Sequence, residues 1–380
     1  MRTTSRTTAG LALTAAAAVL LAGCTSPAPE ATGQAPSGAH LDPASTAALE
    51  SLLDAGATAA VIDIRDGDEH VTAAFGTVDG EVAAEPDDQL RIASVTKTMT
   101  ATVIMQLVEE GEFTLDTAVD DVVPGLLDSP EPVTVRQLLN HTSGLPDYFD
   151  VLVPDVAAYH AAVDVEHEPS DLIAEAQARP WSAAPGTAFS YSNANYVALG
   201  LLAEEVTGEE LPELMRSRIF EPLGLDRTEY PTSPALPDGA LRGSVLDGDE
   251  TVDTSDGSPS IWGAGAAVTS TAGDVGTFFQ ALFAGELVSA ESVQEMQAVG
   301  AEGYGLGILA GGDACGAQPV ELVFGQRGNG IGYRVMAFGS PDGDRFVTVG
   351  WAGGTFDPAT DPTVPPANDA LVAALAATCD

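Results

Sequence analysis

Ser94 and Lys97 are the residues whose types and spacing first suggest chemistry. Lys97 is the only lysine among 380 residues, and every other member of the 14 Lys and Arg residues is an arginine. On a helix, residues three apart lie on one face about one turn apart. A lysine buried beside a hydroxyl is driven toward its neutral form and becomes a usable base, whereas arginine does not deprotonate in proteins. The pair therefore predicts a serine nucleophile with an amine that carries its proton.

A second polar group lies in the segment AFSYSNANY, which contains Tyr191, Ser192 and Asn193. A phenol at this place can pass a proton to a leaving group, and an amide can hold the lysine or the substrate. Taken alone, Tyr191 is equally consistent with an aromatic residue packed in a loop. Together with Ser94 and Lys97 it extends the candidate catalytic set.

The elements that must position these residues follow from local patterns. SVTKTMTATVIMQLVEEG predicts a long apolar-rich helix from about Ser94 to Gly111. ATAAVIDIRDG and EHVTAAFGTVDG predict two strands joined at Asp66-Gly67, and VELVFGQ, GYRVMAFGSPDG and RFVTVGWAGG predict three more before a closing helix, PANDALVAALAATC. Early and late strands with helices between them indicate an α/β (α+β) fold. We expect one antiparallel sheet built from both chain ends, flanked by helices, with an inserted mainly helical lobe.

Composition limits the classes of partner. The chain has 56 acidic residues and a formal charge of -42, yet 45 % of its residues are hydrophobic, which is typical of a well-cored globular protein with an acidic surface. Its arginines are scattered and form no basic stripe, so we expect no nucleic-acid partner. His160, Glu166 and His167 lack the spacing of metal ligands, and no cofactor motif is present, so we expect neither a metal nor a cofactor.

The first 40 residues predict export. Residues 1–23 have Arg2 and Arg6, a short apolar run and small residues before Cys24, which is the pattern of a signal peptide. Leu21-Ala22-Gly23-Cys24 resembles a bacterial lipobox, so Cys24 is predicted to be lipidated, with residues 24–40 as a flexible tether and 41–380 as the folded domain. An ordinary cleaved signal is the alternative. We expect an extracytoplasmic lipoprotein, held at the membrane only by its lipid, and a monomer.

Two cysteines remain in the predicted domain, Cys315 and Cys379. An exported chain meets oxidising conditions, so a disulfide is the expected state, although two separate buried thiols remain possible.

The sequence resembles the serine penicillin-recognising hydrolases, especially streptomycete-type D-Ala-D-Ala carboxypeptidases and their class C β-lactamase and esterase relatives. The segments that carry the resemblance occur in the family's order between about residues 45 and 379: ASVTKT, TVRQLLNHTSGLPDY, PGTAFSYSNANYVALG, EPLGLDRT, GAGAAVTSTAGD, YGLGI and FGQRGNGIGY. The resemblance implies a β-lactamase/transpeptidase-like fold and a disulfide between the two cysteines.

The resemblance also implies the roles of the site residues. Ser94 would be the nucleophile, Lys97 and Tyr191 would share general acid and base duty, and Asn193 would orient them. The backbone N–H groups of Ser94 and Asn329 would form the oxyanion hole. The division of duty between Lys97 and Tyr191 stays open.

The chain departs from the family at its third motif. The family has Lys-Thr-Gly or His-Thr-Gly on the strand across the cleft, and here Gln326, Arg327 and Gly328 stand in its place. A proton-carrying side chain is missing, while Gly328 would still let substrate approach the strand. Arg327 is expected to bind a substrate carboxylate, or else to pair with a local acid. Trp262 is expected to line the cleft, with burial in the core as the alternative.

Three functions follow from these observations. The first is hydrolysis of a D-Ala-D-Ala cell-wall peptide through an acyl-enzyme at Ser94. The second is the same acyl chemistry on an ester or a β-lactam. The third is a catalytically impaired, penicillin-binding-like protein, against which the retained Ser94, Lys97, Tyr191 and Asn193 argue.

Overall fold

The computed structural model describes residues 41–316 and 321–379. The predicted signal peptide of residues 1–23, the tether of residues 24–40 and lipidation at Cys24 lie outside the described residues and stay predictions, as does the boundary of the 41–380 domain. In the part of the chain that is described, no helix combines the length and the apolar character needed to cross a membrane.

Six of the strands form the main sheet, in the order β2-β1-β10-β9-β8-β7, with every neighbouring pair antiparallel. The strands of the described residues are β1 (Ala57–Asp66), β2 (Glu69–Gly76), β3 (Leu90–Arg91), β4 (Ser244–Asp247), β5 (Glu250–Asp253), β6 (Thr269–Ser270), β7 (Leu309–Gly312), β8 (Leu322–Gly330), β9 (Tyr333–Gly339) and β10 (Arg345–Gly353). β3 pairs with β6 and β4 with β5 in two small separate sheets. Because β1 pairs with β10, the early and late strands meet, and the predicted sheet is confirmed.

Most helices lie between β2 and β7 in the chain and build the inserted lobe. The helices are α1 (Pro43–Asp54), α2 (Thr96–Glu110), α3 (Val119–Val122), α4 (Val135–Leu139), α5 (Phe149–Leu152), α6 (Val156–Val163), α7 (Pro169–Gln177), α8 (Asn193–Thr207), α9 (Leu211–Met215), α10 (Glu221–Leu223), α11 (Gly263–Ala266), α12 (Ala272–Phe283), α13 (Ala290–Met296) and α14 (Val364–Ala377).

Alternating side chains on the strands give the sheet two buried faces. Ile62 of β1 and Val349 of β10 pack against α1 and α14, in a cluster that also contains Leu49 and Leu371. Val61 precedes Ile62 on β1 and faces the opposite way, into the larger core that the sheet shares with α2, α8 and α12. A two-residue period places neighbours on opposite faces, so a sheet covered on both sides has nearly continuous apolar strands.

The sequence did not lead us to expect α1. Its start carries clear local signals, since the Asp42 carboxylate accepts hydrogen bonds from the N–H groups of Ala44 and Ser45 at 2.9 Å and Pro43 occupies the first turn. β8 also runs to Gly330, past the predicted VELVFGQ run. The glycines of GQRGNG look like a loop locally, but pairing with β9 continues as far as Gly330 opposite Tyr333.

The two cysteines of the folded region are joined. Cys315 follows β7 and Cys379 follows α14, and their sulfurs are 2.01 Å apart. The disulfide therefore ties the closing helix to the edge of the sheet that carries β7. It stabilises the fold because it lowers the conformational entropy of the unfolded chain.

Candidate active site

Ser94 lies in a single 3-10 turn, Ala93–Val95, that leads directly into α2. Ala93 adopts φ 46°, a left-handed conformation that a residue with a Cβ seldom takes, and this turns the chain sharply from β3 into the helix. The side chains of Ser94 and Lys97 then lie one turn apart, as the spacing predicts, with Oγ and Nζ at 3.1 Å. The predicted helix is thus present, beginning just after Ser94 and ending at Gly111, which has φ 85°.

The amine of Lys97 has three neighbours, and they determine its role. Nζ lies 2.7 Å from Oδ1 of Asn193 and 3.0 Å from the carbonyl oxygen of Gly265, both of which can only accept. A neutral amine has two N–H donors for these two acceptors, so its lone pair is left facing the Ser94 hydroxyl. The contacts of Lys97 are therefore satisfied by the form of the amine that can take the serine proton.

Burial favours that neutral form. The Lys97 side chain is fully buried, and burial lowers its pKa to about 7, while the charge of Asp147 partly opposes the shift. Near neutral pH a large share of Lys97 is uncharged, which is the property that arginine could not supply.

Tyr191 stands on the other side of the nucleophile. Its hydroxyl is 2.8 Å from Ser94 Oγ, and it lies just before α8, whose first residue is Asn193. Part of its ring is open to the cleft, with 40 % of the residue exposed, but desolvation of the hydroxyl and the nearby Tyr304 hold its pKa well above the usual range. Tyr191 is consequently a protonated phenol at neutral pH, suited to donating a proton, and Lys97 is the group suited to accepting one.

The edge of β8 is open beyond Gly325 and borders the same cleft as Ser94. β7 pairs with β8 only from Leu322 to Gly325, so residues 326–330 have no strand beside them on that edge. The N–H of Arg327 donates to the Gln326 side chain at 3.0 Å instead of to β9. Because N–H groups two residues apart on a strand point to the same edge, that of Asn329 is directed to the open edge as well. This fits the predicted oxyanion role of Asn329.

Gln326 is among the residues that line the cleft, whereas Gly328 contacts the turn that carries Ser94. The Gln326 side chain is buried and donates to the Tyr304 hydroxyl at 3.3 Å and to the Gly307 carbonyl at 3.1 Å. A Cβ added at Gly328 would stand 2.2 Å from the carbonyl oxygen of Ile92. The missing side chain at Gly328 thus allows the strand to approach the turn that carries Ser94, and its close neighbour is protein rather than substrate.

Arg327 is exposed at the end of the cleft. Its guanidinium lies 5.6 Å from the centre of the Phe338 ring, on the sheet face opposite the Gln326 side chain, and no ion pair with it is found among the described residues. The alternative of a local acid partner is therefore not seen in the described part of the chain. Within the described residues its positive charge is thus not neutralised by an acid, although its guanidinium packs on the Phe338 ring.

Our expectation that Trp262 lines the cleft is not supported by its surroundings. It is 7 % exposed, and its ring packs against those of Phe149 and Tyr159 at centroid distances of 5.0 and 6.0 Å. An aromatic residue at the start of a glycine-rich turn can either line a cleft or pack in the core, and here Trp262 is buried in the apolar interior of the lobe.

The cleft above Ser94 has a volume of about 350 Å³. Its lining residues are Ser94, Phe189, Tyr191, Asn193, Glu302, Tyr304, Leu309, Gln326, Arg327 and Asn329. Four of these were not singled out in the sequence: Phe189, Glu302, Tyr304 and Leu309. Tyr304 lies in YGLGI and Phe189 in PGTAFSYSNANYVALG, so the family-like segments contain both, whereas Glu302 and Leu309 lie outside these segments. The lining combines an aromatic wall with few charges.

Two further groups, the half-buried Asp147 and the buried His141, stand behind the candidate catalytic residues. Asp147 accepts a hydrogen bond from Nδ2 of Asn193 at 2.8 Å, and no sequence pattern singled it out. His141 adopts φ 58° at the end of α4, as a turn residue would, but its ring also packs on Tyr191 at 4.3 Å. Burial and the charge of Lys97 hold the pKa of His141 well below its usual value, so it stays neutral and supports the phenol by packing.

Comparison with known proteins gives a consistent result. A family model described as Beta-lactamase matches residues 47–365. Penicillin-binding protein 4 of Amycolatopsis lactamdurans is 35 % identical over 190 residues, which is 47 % of this chain and 44 % of that protein. Lovastatin esterase of Penicillium rubens is 35 % identical over 162 residues, 38 % of this chain and 40 % of that protein. These alignments cover less than half the length of either relative.

A solved structure matches over nearly its whole length. The D-stereospecific amidohydrolase from Streptomyces sp. is similar with a TM-score of 0.77 and 30 % identity, covering 86 % of this chain and 97 % of that one. The architecture described above is thus shared with a solved structure named as an amidohydrolase.

Proposed function

Because the chain belongs to the beta-lactamase family, whose relatives here include a penicillin-binding protein, an esterase and an amidohydrolase, we propose that it is a serine hydrolase working through an acyl-enzyme at Ser94. We propose further that it removes the terminal residue of D-Ala-D-Ala cell-wall peptides. The observation that carries the proposal is the buried Lys97 amine, 3.1 Å from Ser94 Oγ, with the Tyr191 hydroxyl 2.8 Å from the same oxygen.

Acylation follows from these positions. The neutral amine of Lys97 takes the hydroxyl proton of Ser94 as Oγ attacks the substrate carbonyl carbon. The negative charge that forms on the carbonyl oxygen is stabilised by the backbone N–H groups of Ser94 and Asn329. Tyr191 gives its proton to the leaving nitrogen as the C–N bond breaks, and the proton held by Lys97 restores the phenol.

Deacylation reverses the proton movements with water as the nucleophile. A water proton passes to the Tyr191 and Lys97 pair as its oxygen attacks the acyl carbon, and Ser94 Oγ leaves with a proton returned from the same pair. The catalytic set is then ready for a further cycle. No proton carrier from β8 takes part, because Gln326 cannot titrate and its side chain is engaged with Tyr304 and Gly307.

The peptide assignment is supported by charge and by the relatives. A D-Ala-D-Ala peptide ends in a carboxylate, and Arg327 is the exposed guanidinium at the cleft. On a protein of net charge -42, such a group is needed to hold an anion near Ser94. The predicted export signal would place the enzyme on the extracytoplasmic face of the membrane, where cell-wall peptide is found.

A second candidate is hydrolysis of a neutral ester. The aromatic and apolar lining from Phe189, Tyr304 and Leu309 fits an uncharged acyl group, and one of the relatives is named as an esterase. This candidate uses the same acyl-enzyme and differs only in how much Arg327 contributes.

The test is a panel of substrates given to the full chain and to Ser94→Ala. The panel holds a D-Ala-D-Ala peptide, its D-Ala-D-Ala amide, a nitrophenyl ester, a chromogenic cephalosporin and a fluorescent penicillin. The proposal expects serine-dependent release of D-Ala from the peptide, with the amide a poorer substrate, and stable penicillin labelling. Ester turnover alone would favour the second candidate, cephalosporin turnover a lactamase, and equal signals from wild type and Ser94→Ala would exclude the acyl-enzyme.

A further inference from the structure

The side chain of Asp147 reaches the catalytic amine through one intervening amide. Nδ2 of Asn193 donates to Oδ2 of Asp147 at 2.8 Å, and Oδ1 of the same amide accepts from Nζ of Lys97 at 2.7 Å. Oδ1 of Asp147 is held in turn by the backbone N–H of Phe149 at 3.1 Å. The carboxylate, the amide and the amine therefore form one chain of hydrogen bonds that ends at Ser94.

We propose that Asp147 is a positioning residue that fixes the direction of the Asn193 amide, and so turns the Lys97 lone pair toward Ser94, while its negative charge sets the pH range in which Ser94 is activated. The inference rests on the proposed acyl-enzyme function and adds a member to its machinery.

The hydrogen-bond chemistry allows only one orientation of the amide. A carboxylate can only accept, so the NH₂ end of Asn193 must face Asp147, and the oxygen must face Lys97. Without Asp147 the amide is free to rotate and present N–H to the amine. The lone pair of Lys97 would then turn toward that donor and away from the Ser94 hydroxyl, and the serine proton would have no acceptor.

The charges around the two groups agree with an electrostatic role. Burial raises the pKa of Asp147, whereas the Phe149 N–H and Lys97 oppose the shift, and Asp147 in turn opposes the fall in the pKa of Lys97. The other titratable groups facing Lys97 are His141 from the end of α4, which stays neutral, and the phenols of Tyr191 and Tyr196. Those facing Asp147 are the adjacent Tyr148 and Asp150. Asp147 is the one carboxylate among them that influences Lys97.

Direct contact with substrate is not required for this role. The residues that line the 350 Å³ cleft include Asn193 but not Asp147, which stands behind the amide. Asp147 thus acts through Asn193 and Lys97 rather than on the reacting atoms.

The lone lysine makes the proposal directly measurable. The full chain labelled with [13C]lysine gives one lysine Cε resonance, whose titration reports Lys97 without any substrate. Asp147→Asn removes the charge and keeps one acceptor oxygen, which can serve Asn193 while the N–H of Phe149 loses its partner. The Lys97 midpoint is expected to fall by at least about half a pH unit. The acid limb of kcat/KM should move by the same amount, with maximal kcat within about threefold of wild type. Asp150→Asn removes a neighbouring exposed charge and should leave both unchanged.

A second variant separates position from charge. Asp147→Leu removes the acceptor as well, and kcat should fall at least about tenfold at every pH while thermal unfolding shows that the domain is folded. An unmoved or raised Lys97 midpoint in Asp147→Asn overturns the proposal, and so does an effect confined to KM. If wild type shows no serine-dependent turnover, the acyl-enzyme function fails, and the resonance still decides whether Asp147 controls the amine.

Discussion

The carbonyl oxygen of Ile92 occupies the space that a side chain at Gly328 would need. The Cβ of an alanine there would lie 2.2 Å from that oxygen and 3.4 Å from the Cβ of Ala93. β8 and the turn carrying Ser94 are therefore in backbone contact, and this contact sets the distance between Ser94 and the edge of β8 that carries Asn329, the proposed oxyanion donor.

Gly328→Ala should accordingly damage both stability and catalysis. Relief of the clash separates β8 from the Ser94 turn, which we expect to cost about 1–3 kcal/mol of unfolding free energy and to lower kcat at least about tenfold. Gly311→Ala is the matched control, because among the described residues its Cβ would meet Val323 alone, at an ordinary 3.4 Å. Urea unfolding and ester turnover of the two variants measure the difference, and a wild-type kcat in Gly328→Ala would disprove the role of this contact.

The pH dependence of stability should carry the signature of a buried amine. The pKa of Lys97 is about 7 in the folded protein and near 10.5 when exposed, so between these values the unfolded chain binds a proton that the folded chain does not. The contribution of Lys97 to the free energy of unfolding therefore rises with pH between about 7 and 10.5, and it is lost as pH falls through about 7. Relative to Lys97→Met, wild type should gain on the order of 4 kcal/mol between pH 7 and 10.5. Chemical unfolding at a series of pH values gives both curves, and parallel curves would contradict the shifted amine.

Tyr191→Phe removes the proton donor and keeps the packing. The ring still lies on His141, so stability should be close to wild type, while kcat should fall about 100-fold because the leaving group loses its acid. Tyr148→Phe is a suitable comparison, since its hydroxyl bonds only the Ile261 carbonyl inside the lobe. Steady-state turnover of the preferred substrate is the measurement, and a loss of less than about threefold in Tyr191→Phe would remove the phenol from the mechanism.

Arg327→Ala tests the source of substrate preference. A guanidinium holding a carboxylate contributes a charge-assisted pair, so kcat/KM for a D-Ala-D-Ala peptide should drop about 10- to 100-fold, with a neutral ester changed by less than about threefold. Arg218→Ala removes an equal charge that pairs with Glu110 at the far end of α2. An equal loss of kcat/KM for both substrates would mean that Arg327 does not bind the substrate carboxylate.

Local patterns were sufficient for elements that are stabilised by neighbours in sequence. The hairpin of β1 and β2 forms about Asp66-Gly67, where Gly67 has φ 54°, and short runs of β-branched and aromatic residues mark β9 and β10. The order of strands in the sheet could be expected only in outline, because pairing of β1 with β10 depends on contacts nearly 300 residues apart in sequence, as between Ala57 and Gly353. The local sequence does not predict the end of β8 for a related reason, because its glycines become part of the strand by pairing with β9.

The residues of the candidate site likewise divide into those that local sequence predicts and those whose contacts depend on distant parts of the chain. Ser94 and Lys97 could be predicted to meet because three residues on a helix bring side chains together regardless of the rest of the fold. Asp147 lies in the family-like segment TVRQLLNHTSGLPDY, but its role could not be inferred there, since it depends on contact with Asn193, 46 positions later. Trp262 was expected at the cleft because an aromatic residue beside glycines looks the same whether it faces substrate or the lobe interior.

The rate of acylation of Ser94 as a function of pH is the most direct test of neutral Lys97 as the base. The full chain is mixed with a nitrophenyl ester, quenched within the first turnover, digested and analysed by mass spectrometry, with Ser94→Ala and Lys97→Arg in parallel. We expect an acyl group on the Ser94 peptide that forms faster as pH rises through about 7, the pKa of Lys97, and that is absent from both variants. An adduct that forms equally fast in Lys97→Arg, or a wild-type rate that does not change between pH 5 and pH 9, would contradict a neutral lysine as the base.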